Sequence, residues 1–276
     1  MAAYLVGVFF AAALIAPWVW HGLQYAARVW GTGFWGSLAG HPFPRILNRC
    51  LLVLALAGLV PVARSLGIRS WRQLGLVGRG RALRDWVLGL GLSALMFGAV
   101  VGVELAAGLR VLRPGAELEG APAAVGKAAA SGVAVGVIEE VLFRGVLCGG
   151  LQPSLGWPGA AVVSSVVYAA VHFLERPGRP REVRWGTGLE AVGAMFSGLM
   201  GSGVGSPRFL TLVVAGLLLA LAYRRGGTLY LPMGLHAGWV FWIKMRGWLT
   251  GAGSQAGGMA SEWLWLGSVV SMCLWV

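Results

Sequence analysis

Residues 136–145 read Gly-Val-Ile-Glu-Glu-Val-Leu-Phe-Arg-Gly, so Glu139, Glu140 and Arg144 stand together inside an apolar run. The flanking residues are mostly Ala, Gly, Val and Leu over more than 20 positions, enough to cross a bilayer core of roughly 30 Å. Each charged side chain at that depth costs roughly 2.5–3.5 kcal/mol on insertion scales. The cluster therefore predicts a functional site, and a structural polar cluster between helices is the alternative.

The composition is typical of an integral membrane protein. Of the 276 residues, 57% are hydrophobic and 12% are charged, whereas soluble domains carry about 25% charged residues. The net charge of +12 comes from Arg in short loops between apolar runs, a pattern that the positive-inside rule produces. No nucleic-acid-binding signature is present, so we exclude nucleic acid as a partner. The three Cys form no CxxC pair, which argues against a disulfide framework or a thiolate metal site.

The fold class predicted from this pattern is all-α, a polytopic transmembrane helical bundle of about eight spans. We expect one integral membrane domain over residues 1–276. The stronger apolar runs lie at about 4–20, 46–63, 86–109, 127–151, 157–174, 208–223 and 228–246, with weaker candidates at about 187–205 and 262–276. The first run lacks the features of a cleaved signal peptide, and we interpret it as a retained helix.

The segments between the runs give further expectations. Residues 21–45 are mixed and aromatic, and we expect them to lie in the membrane interface. Gln152-Pro153 is expected to end the fourth run. The basic loop from Arg64 to Arg84 should be cytoplasmic. Counting the predicted spans forward from this loop places residues 175–185 on the non-cytoplasmic side. This segment is rich in Arg, so it would break the positive-inside rule unless one of the spans is re-entrant.

Helical spacing divides the charged cluster into two parts. Glu140 and Arg144 are four residues apart with the acid first, the better order for an ion pair on one helix face. Glu139 is rotated from Glu140 by about 100° around the helix. It therefore points away from that pair and is a candidate general base.

Two histidines on later runs add to this chemistry. Tyr168 and His172 lie one helical turn apart, and His236 follows in another run. For either histidine alone, a structural hydrogen bond is an equal alternative, but both together with the carboxylates favour a site. The set Glu139, His172 and His236 could activate a water molecule or hold a metal with an open position.

The remaining polar residues of the apolar runs are weaker candidates. Interfacial placement is the better interpretation for His21 and His41, which lie near other aromatic residues at run ends. For Glu104 and Glu190 a structural role is favoured.

The order of these motifs resembles the CPBP family, the CAAX proteases and bacteriocin-processing enzymes also called ABI or Rce1-like. The family pattern is Glu-Glu-x-x-x-Arg, aromatic-x-x-x-His and His-x-x-x-Asn on successive membrane helices. In this chain the motifs read Glu139-Glu140-Val-Leu-Phe-Arg144, Tyr168-Ala-Ala-Val-His172 and His236-Ala-Gly-Trp-Val240. Val240 stands where Asn is usual. The resemblance covers a family-like catalytic core at about residues 127–246.

The resemblance implies an intramembrane endopeptidase of helical fold. In this family the first glutamate, here Glu139, activates the attacking water together with His172. Glu140 and Arg144, with Tyr168, would support the site, and His236 would stabilise the oxyanion. No cofactor is expected, and a zinc ion held by the glutamate and the two histidines is the alternative.

The partners implied are a membrane-associated peptide or protein substrate and the lipid bilayer. The expected location is a bacterial inner membrane, as a multi-pass protein. The alternative function is a non-catalytic membrane protein of the same fold with an immunity, scaffold or transport role, and Val240 is the feature that favours it.

Overall fold

The computed structural model describes residues 2–31, 33–113, 120–175, 177–199 and 204–253. The predicted last run, at about 262–276, lies outside these residues. A π-helical segment (Val141–Cys148) joins two of the α-helices and is called the π segment below. The α-helices are α1 (Ala2–Trp30), α2 (Phe34–Ala39), α3 (Phe43–Ser65), α4 (Arg79–Ala106), α5 (Ala121–Glu140), α6 (Gly149–His172), α7 (Thr187–Gly198), α8 (Pro207–Gly226) and α9 (Tyr230–Leu249). The strands β1 (Arg110–Leu112) and β2 (Thr250–Ala252) pair antiparallel.

The predicted all-α fold class is confirmed, and the two strands add only three residues each. By length and composition, α1, α3, α4 and α8 could each cross a membrane. The runs predicted at about 127–151, 157–174 and 228–246 are also largely helical. The count of about eight spans stays a prediction.

Two boundaries differ from those expected. The first helix, α1, continues to Trp30, so part of the segment 21–45 extends the helix. The expected break at Gln152-Pro153 is wrong, because Pro153 lies inside α6 and the break falls at Gly156. Gly156 has φ 66°, a backbone conformation that glycine adopts at little steric cost.

The described residues divide into two compact units, and the first comprises Met1–Leu66 and Ala170–Val204. Its core forms where α1, α3 and α7 meet, around Phe43 and Leu47. At Gly188 an added Cβ would lie 1.8 Å from the carbonyl oxygen of Ala13. The backbones of α1 and α7 are therefore in direct contact at this point.

The second unit comprises Gly67–Ala169 and Gly205–Val276. In it α4 and α9 pack in parallel, because Trp86 meets Gly234 and Ser93 meets Gly238 in the same order along both helices. On its other side α9 packs antiparallel to α5. Close helix contact through small residues is typical of helix pairs in membranes. The helix α9 is therefore held between α4 and α5.

Candidate functional site

The two glutamates of the opening motif are the last two residues of α5. The helix changes type directly after them, where a continuous α-helix was expected. Segments of π-helix are rare and occur frequently at functional sites. The side chain of Glu140 is fully buried, whereas that of Glu139 is 25% exposed. The two carboxylates therefore meet different surroundings.

Glu140 forms the predicted ion pair with Arg144. Nη1 of Arg144 donates to Oε1 of Glu140 at 2.9 Å, and both side chains are buried. Nη2 of the same guanidinium donates to the carbonyl oxygen of Gly216 on α8 at 3.1 Å. Within the described residues, Oε2 of Glu140 and Nε of Arg144 have no hydrogen-bond partner. Removing one partner of a buried ion pair typically costs several kcal/mol of stability, so Arg144 is held firmly in place. Because its guanidinium also bonds Gly216, it fixes the π segment against α8.

His236 lies between the two glutamates. Its Nδ1 is 2.8 Å from Oε1 of Glu140, and the ring nitrogen donates because an ionised carboxylate only accepts. Its Nε2 is 3.7 Å from Oε2 of Glu139, beyond direct hydrogen-bonding distance. One carboxylate therefore holds the imidazole, and the other faces its second nitrogen.

Two glycines of α5 allow this approach of α9. A Cβ at Gly132 would lie 2.5 Å from the carbonyl oxygen of Ala237, the residue after His236. A Cβ at Gly136 would lie 2.9 Å from the carbonyl oxygen of Met233. Larger residues at these positions would separate the two helices. The glycines therefore set the distance between His236 and the glutamates.

Tyr168 covers the buried side of the cluster. Its ring meets the rings of Phe143 and His236 edge to face, at centroid distances of 5.2 and 5.9 Å. The guanidinium carbon of Arg144 lies 4.7 Å from its centroid, a cation–π contact. The hydroxyl of Ser164, one turn earlier on α6, donates to the carbonyl oxygen of Phe143 at 2.8 Å. This helix thus braces the π segment.

His172 is the last residue of α6, one turn after Tyr168. It belongs to the other compact unit, so its predicted action with Glu139 stays a prediction. Within one unit, the structure brings together Glu139, Glu140, Arg144, Tyr168 and His236.

The residue before Val240 was missed by the sequence analysis. Trp239 is buried, and its ring centroid lies 6.3 Å from that of His236. Its indole N–H has no acceptor among the residues described. A spacing of three residues from His236 could have indicated a shared helix face. Ser164 carried a similar signal, four residues before Tyr168.

The zinc alternative has no preformed cluster in the part of the chain that the structure describes. There, no group of three or more His, Cys, Asp or Glu side chains could hold a metal ion. Glu140 already bonds Arg144 and His236 through one oxygen. The choice between a metal-free site and a zinc site stays a prediction.

A second buried ion pair lies near the other end of α9. Arg246 donates from Nε to Oε2 of Glu104 at 2.8 Å and from Nη2 to Oε1 at 2.5 Å. Beside it, Arg110 donates to the hydroxyl and carbonyl oxygens of Thr250. The structural role favoured for Glu104 agrees with this arrangement, which ties the ends of α4 and α9 to the strands β1 and β2.

The other polar residues considered as weaker site candidates have local contacts that fit structural roles. Glu190 is exposed in the first turn of α7, where a negative charge suits the helix dipole. His21 contacts the ring of Trp185 at 4.9 Å. Arg45 donates to Nδ1 of His41 at 3.2 Å.

Comparison with known proteins gives one match. Residues 121–242 match the family model described as type II CAAX prenyl endopeptidase Rce1-like. No curated protein and no solved structure matches the chain. The matched range begins at the start of α5 and includes all three motifs, so the resemblance stated from the sequence is confirmed there. Together with the four apolar helices, the match identifies this chain as an integral membrane protein that carries an Rce1-like segment at residues 121–242.

Proposed function

We propose that this chain is an intramembrane endopeptidase that hydrolyses peptide bonds of membrane-associated substrates through a glutamate-activated water. The observation that carries the proposal is the position of His236 between two unlike carboxylates. Glu140 is buried, paired with Arg144 and bonded to the imidazole. Glu139 faces the second ring nitrogen and is 25% exposed. One acid therefore supports the site, and the other is partly exposed, although its Oε2 beside the imidazole is buried.

In the proposed reaction, Glu139 removes a proton from a water molecule. The water oxygen bonds to the carbonyl carbon of the substrate, and the carbonyl oxygen takes the negative charge. Glu139 then delivers the proton to the amide nitrogen, and the C–N bond breaks to give an acid and an amine. A positioned general base of this kind contributes typically about 10²–10⁴-fold in rate.

His236 is assigned to the oxyanion. Its Nδ1–H is held by Glu140, so the ring orientation is fixed with Nε2 on the side of Glu139. To donate to the oxyanion from Nε2, the ring must act as an imidazolium with both nitrogens protonated. Preorganised donors at a developing oxyanion commonly contribute about 10²–10³-fold. Val240 has no side-chain donor to share this role. By the family resemblance, His172 would assist Glu139.

The substrate class is a membrane-associated peptide or protein, which fits a largely buried site in which one glutamate side chain is partly exposed. We place the protein in a bacterial inner membrane because its composition is rich in Arg, Ala and Gly. No cofactor is required by this scheme, and a zinc-dependent reaction is the alternative. Metal analysis of active protein distinguishes the two.

The test compares peptides in the membrane and in the medium of cells that express wild-type or Glu139→Gln protein. Uncleaved substrate should accumulate with Glu139→Gln and with His172→Ala. Glu182→Gln is the matched control, since this acid is exposed and pairs with Arg184. A peptide pattern unchanged by the first two variants would instead support the non-catalytic alternative that Val240 favours.

A further inference from the structure

A basic pocket opens beside the start of α3 in the first compact unit. Its volume is about 590 Å³, within the range of ligand sites. Its polar lining consists of Arg45, Asn48, Arg49 and Arg179. No acid is among its described lining residues. The pocket therefore offers three guanidinium groups to an anion.

An apolar groove adjoins this pocket. It has a volume of about 510 Å³ and runs between α1 and α3. Arg49 lines both cavities. The other walls of the groove are mainly aliphatic, with Ile15, Val19, Leu23 and Leu54. A charged cavity and an apolar cavity thus meet at one arginine.

The charges of the basic pocket are not balanced by their described neighbours. Arg45 and Arg49 are four residues apart on α3, where like charges on one helix face repel. Arg45 donates to Nδ1 of His41, so the imidazole accepts there and supplies no negative charge. An anion between the arginines would relieve the repulsion.

The position of the pocket also needs an explanation. It lies at the first turns of α3, whereas the basic loop from Arg64 starts at the last turn. The two ends of this 23-residue helix are about 33 Å apart. The loop is expected on the cytoplasmic side, so the positive-inside rule does not account for arginines at the opposite end.

We propose that the two cavities bind one anionic phospholipid, with its phosphate in the basic pocket and an acyl chain in the apolar groove. Arginine binds phosphate through paired N–H donors, so a phospholipid phosphate suits a pocket lined by three guanidinium groups. Arg49 lies where the headgroup joins the chain. The site is separate from the proposed peptidase reaction, and its test needs no activity.

The experiment is native mass spectrometry of the full-length protein with dioleoyl phosphatidylglycerol or dioleoyl phosphatidylcholine. The wild type should retain the anionic lipid at least about ten-fold more strongly. Each arginine near an anionic headgroup contributes about five-fold. Replacing all three pocket arginines with Gln should therefore abolish the preference. The matched control removes three exposed arginines elsewhere and should keep it: Arg28, Arg69 and Arg72.

Three results would overturn the proposal. An equal loss of preference in the control variant would mean that the total charge, not the pocket, selects the lipid. Displacement of the lipid by glycerol phosphate at equal concentration would mean that the apolar groove takes no part. Val19→Trp keeps all arginines and fills the groove, so it should weaken retention of the dioleoyl lipid. An unchanged retention in this variant would also contradict the proposal.

Discussion

Two buried glutamate–arginine pairs lie along α9, and they are built differently. Near its end, Glu104 binds Arg246 through both oxygens. Near its start, Glu140 uses one oxygen for both Arg144 and His236, and its second oxygen has no partner among the described residues. The first pair is saturated, whereas the second keeps unused hydrogen-bonding capacity. Such groups in a native structure call for an explanation, which an ordered water, an ion or a catalytic role can supply.

The difference suggests which ion pair stabilises the fold and which one serves the proposed reaction. A saturated pair can fix helices to each other, but it offers nothing to a substrate. The unsaturated pair holds His236 against Glu139, whose side chain is accessible. We therefore expect damage to the Glu104 pair to lower stability and damage at Glu139 to lower activity.

The largest expected effect is on catalysis by Glu139→Gln. Loss of the general base should lower the cleavage rate by about 10²–10⁴-fold. The unfolding midpoint should remain near that of the wild type, because the replacement has the same shape and the position is 25% exposed. Cleavage of a membrane peptide by purified protein measures the rate. Wild-type cleavage by this variant would contradict the assignment.

Glu104→Gln should act on stability instead. Removing one partner of a buried pair costs about 3–5 kcal/mol, and we expect the lower value because Arg246 is 19% exposed. Thermal unfolding in detergent measures the loss, and the rate per folded molecule should not change. Glu182→Gln is the control, since an exposed pair contributes less than about 1 kcal/mol. Equal shifts in both variants would contradict a structural role for Glu104.

Gly132→Ala tests whether the spacing of α5 and α9 sets the site. The new Cβ would lie 2.5 Å from the carbonyl oxygen of Ala237, so α9 must move and displace His236. A displacement of about 1 Å can cost about 10²-fold in rate. Gly126→Ala is the control on the same helix, where nothing lies within 4 Å. If both variants kept full activity, the close contact would be unnecessary for the reaction.

The smallest expected effect concerns the support of the π segment. Ser164→Ala removes the hydrogen bond to the carbonyl oxygen of Phe143 and should lower the free energy of unfolding by about 1 kcal/mol. Chemical denaturation in mixed micelles measures the change. Ser131→Ala is the control, because its hydroxyl is exposed and bonds only within α5. A loss as large as that of Glu104→Gln would contradict this ranking of the contacts.

Local spacing predicted the parts of the site that depend on one helix. The Glu140–Arg144 pair follows from a separation of four residues, and the distinct surroundings of Glu139 follow from its rotation. The partner of His236 was not predictable, because it depends on how closely α9 approaches α5. The pairing of Glu104 with Arg246 joins residues 142 positions apart, for which the sequence holds no local signal.

The helix types and helix ends were also predicted only where local sequence determines them. The apolar runs predicted most helices, because a buried or lipid-facing helix needs a continuous apolar surface. The π segment was not predicted, since nothing in its local sequence distinguishes a π-helix from an α-helix; in the structure it contacts α6 through Ser164 and α8 through Gly216. The break was expected at Pro153, because a proline in a helix interior removes a backbone hydrogen bond. It lies three residues later, at Gly156, where φ is 66°.

The parallel packing of α4 on α9 limits how far this chain can be truncated. The family segment, residues 121–242, omits α4 and ends before Arg246. Excised alone, it would leave the backbone of α9 uncovered at Gly234 and Gly238, where Trp86 and Ser93 now lie. A fragment that keeps the whole of α4, these glycine contacts, the second ion pair and both strands runs from residue 79 to residue 252. Transplanting the three motifs to another scaffold would therefore have to include α4.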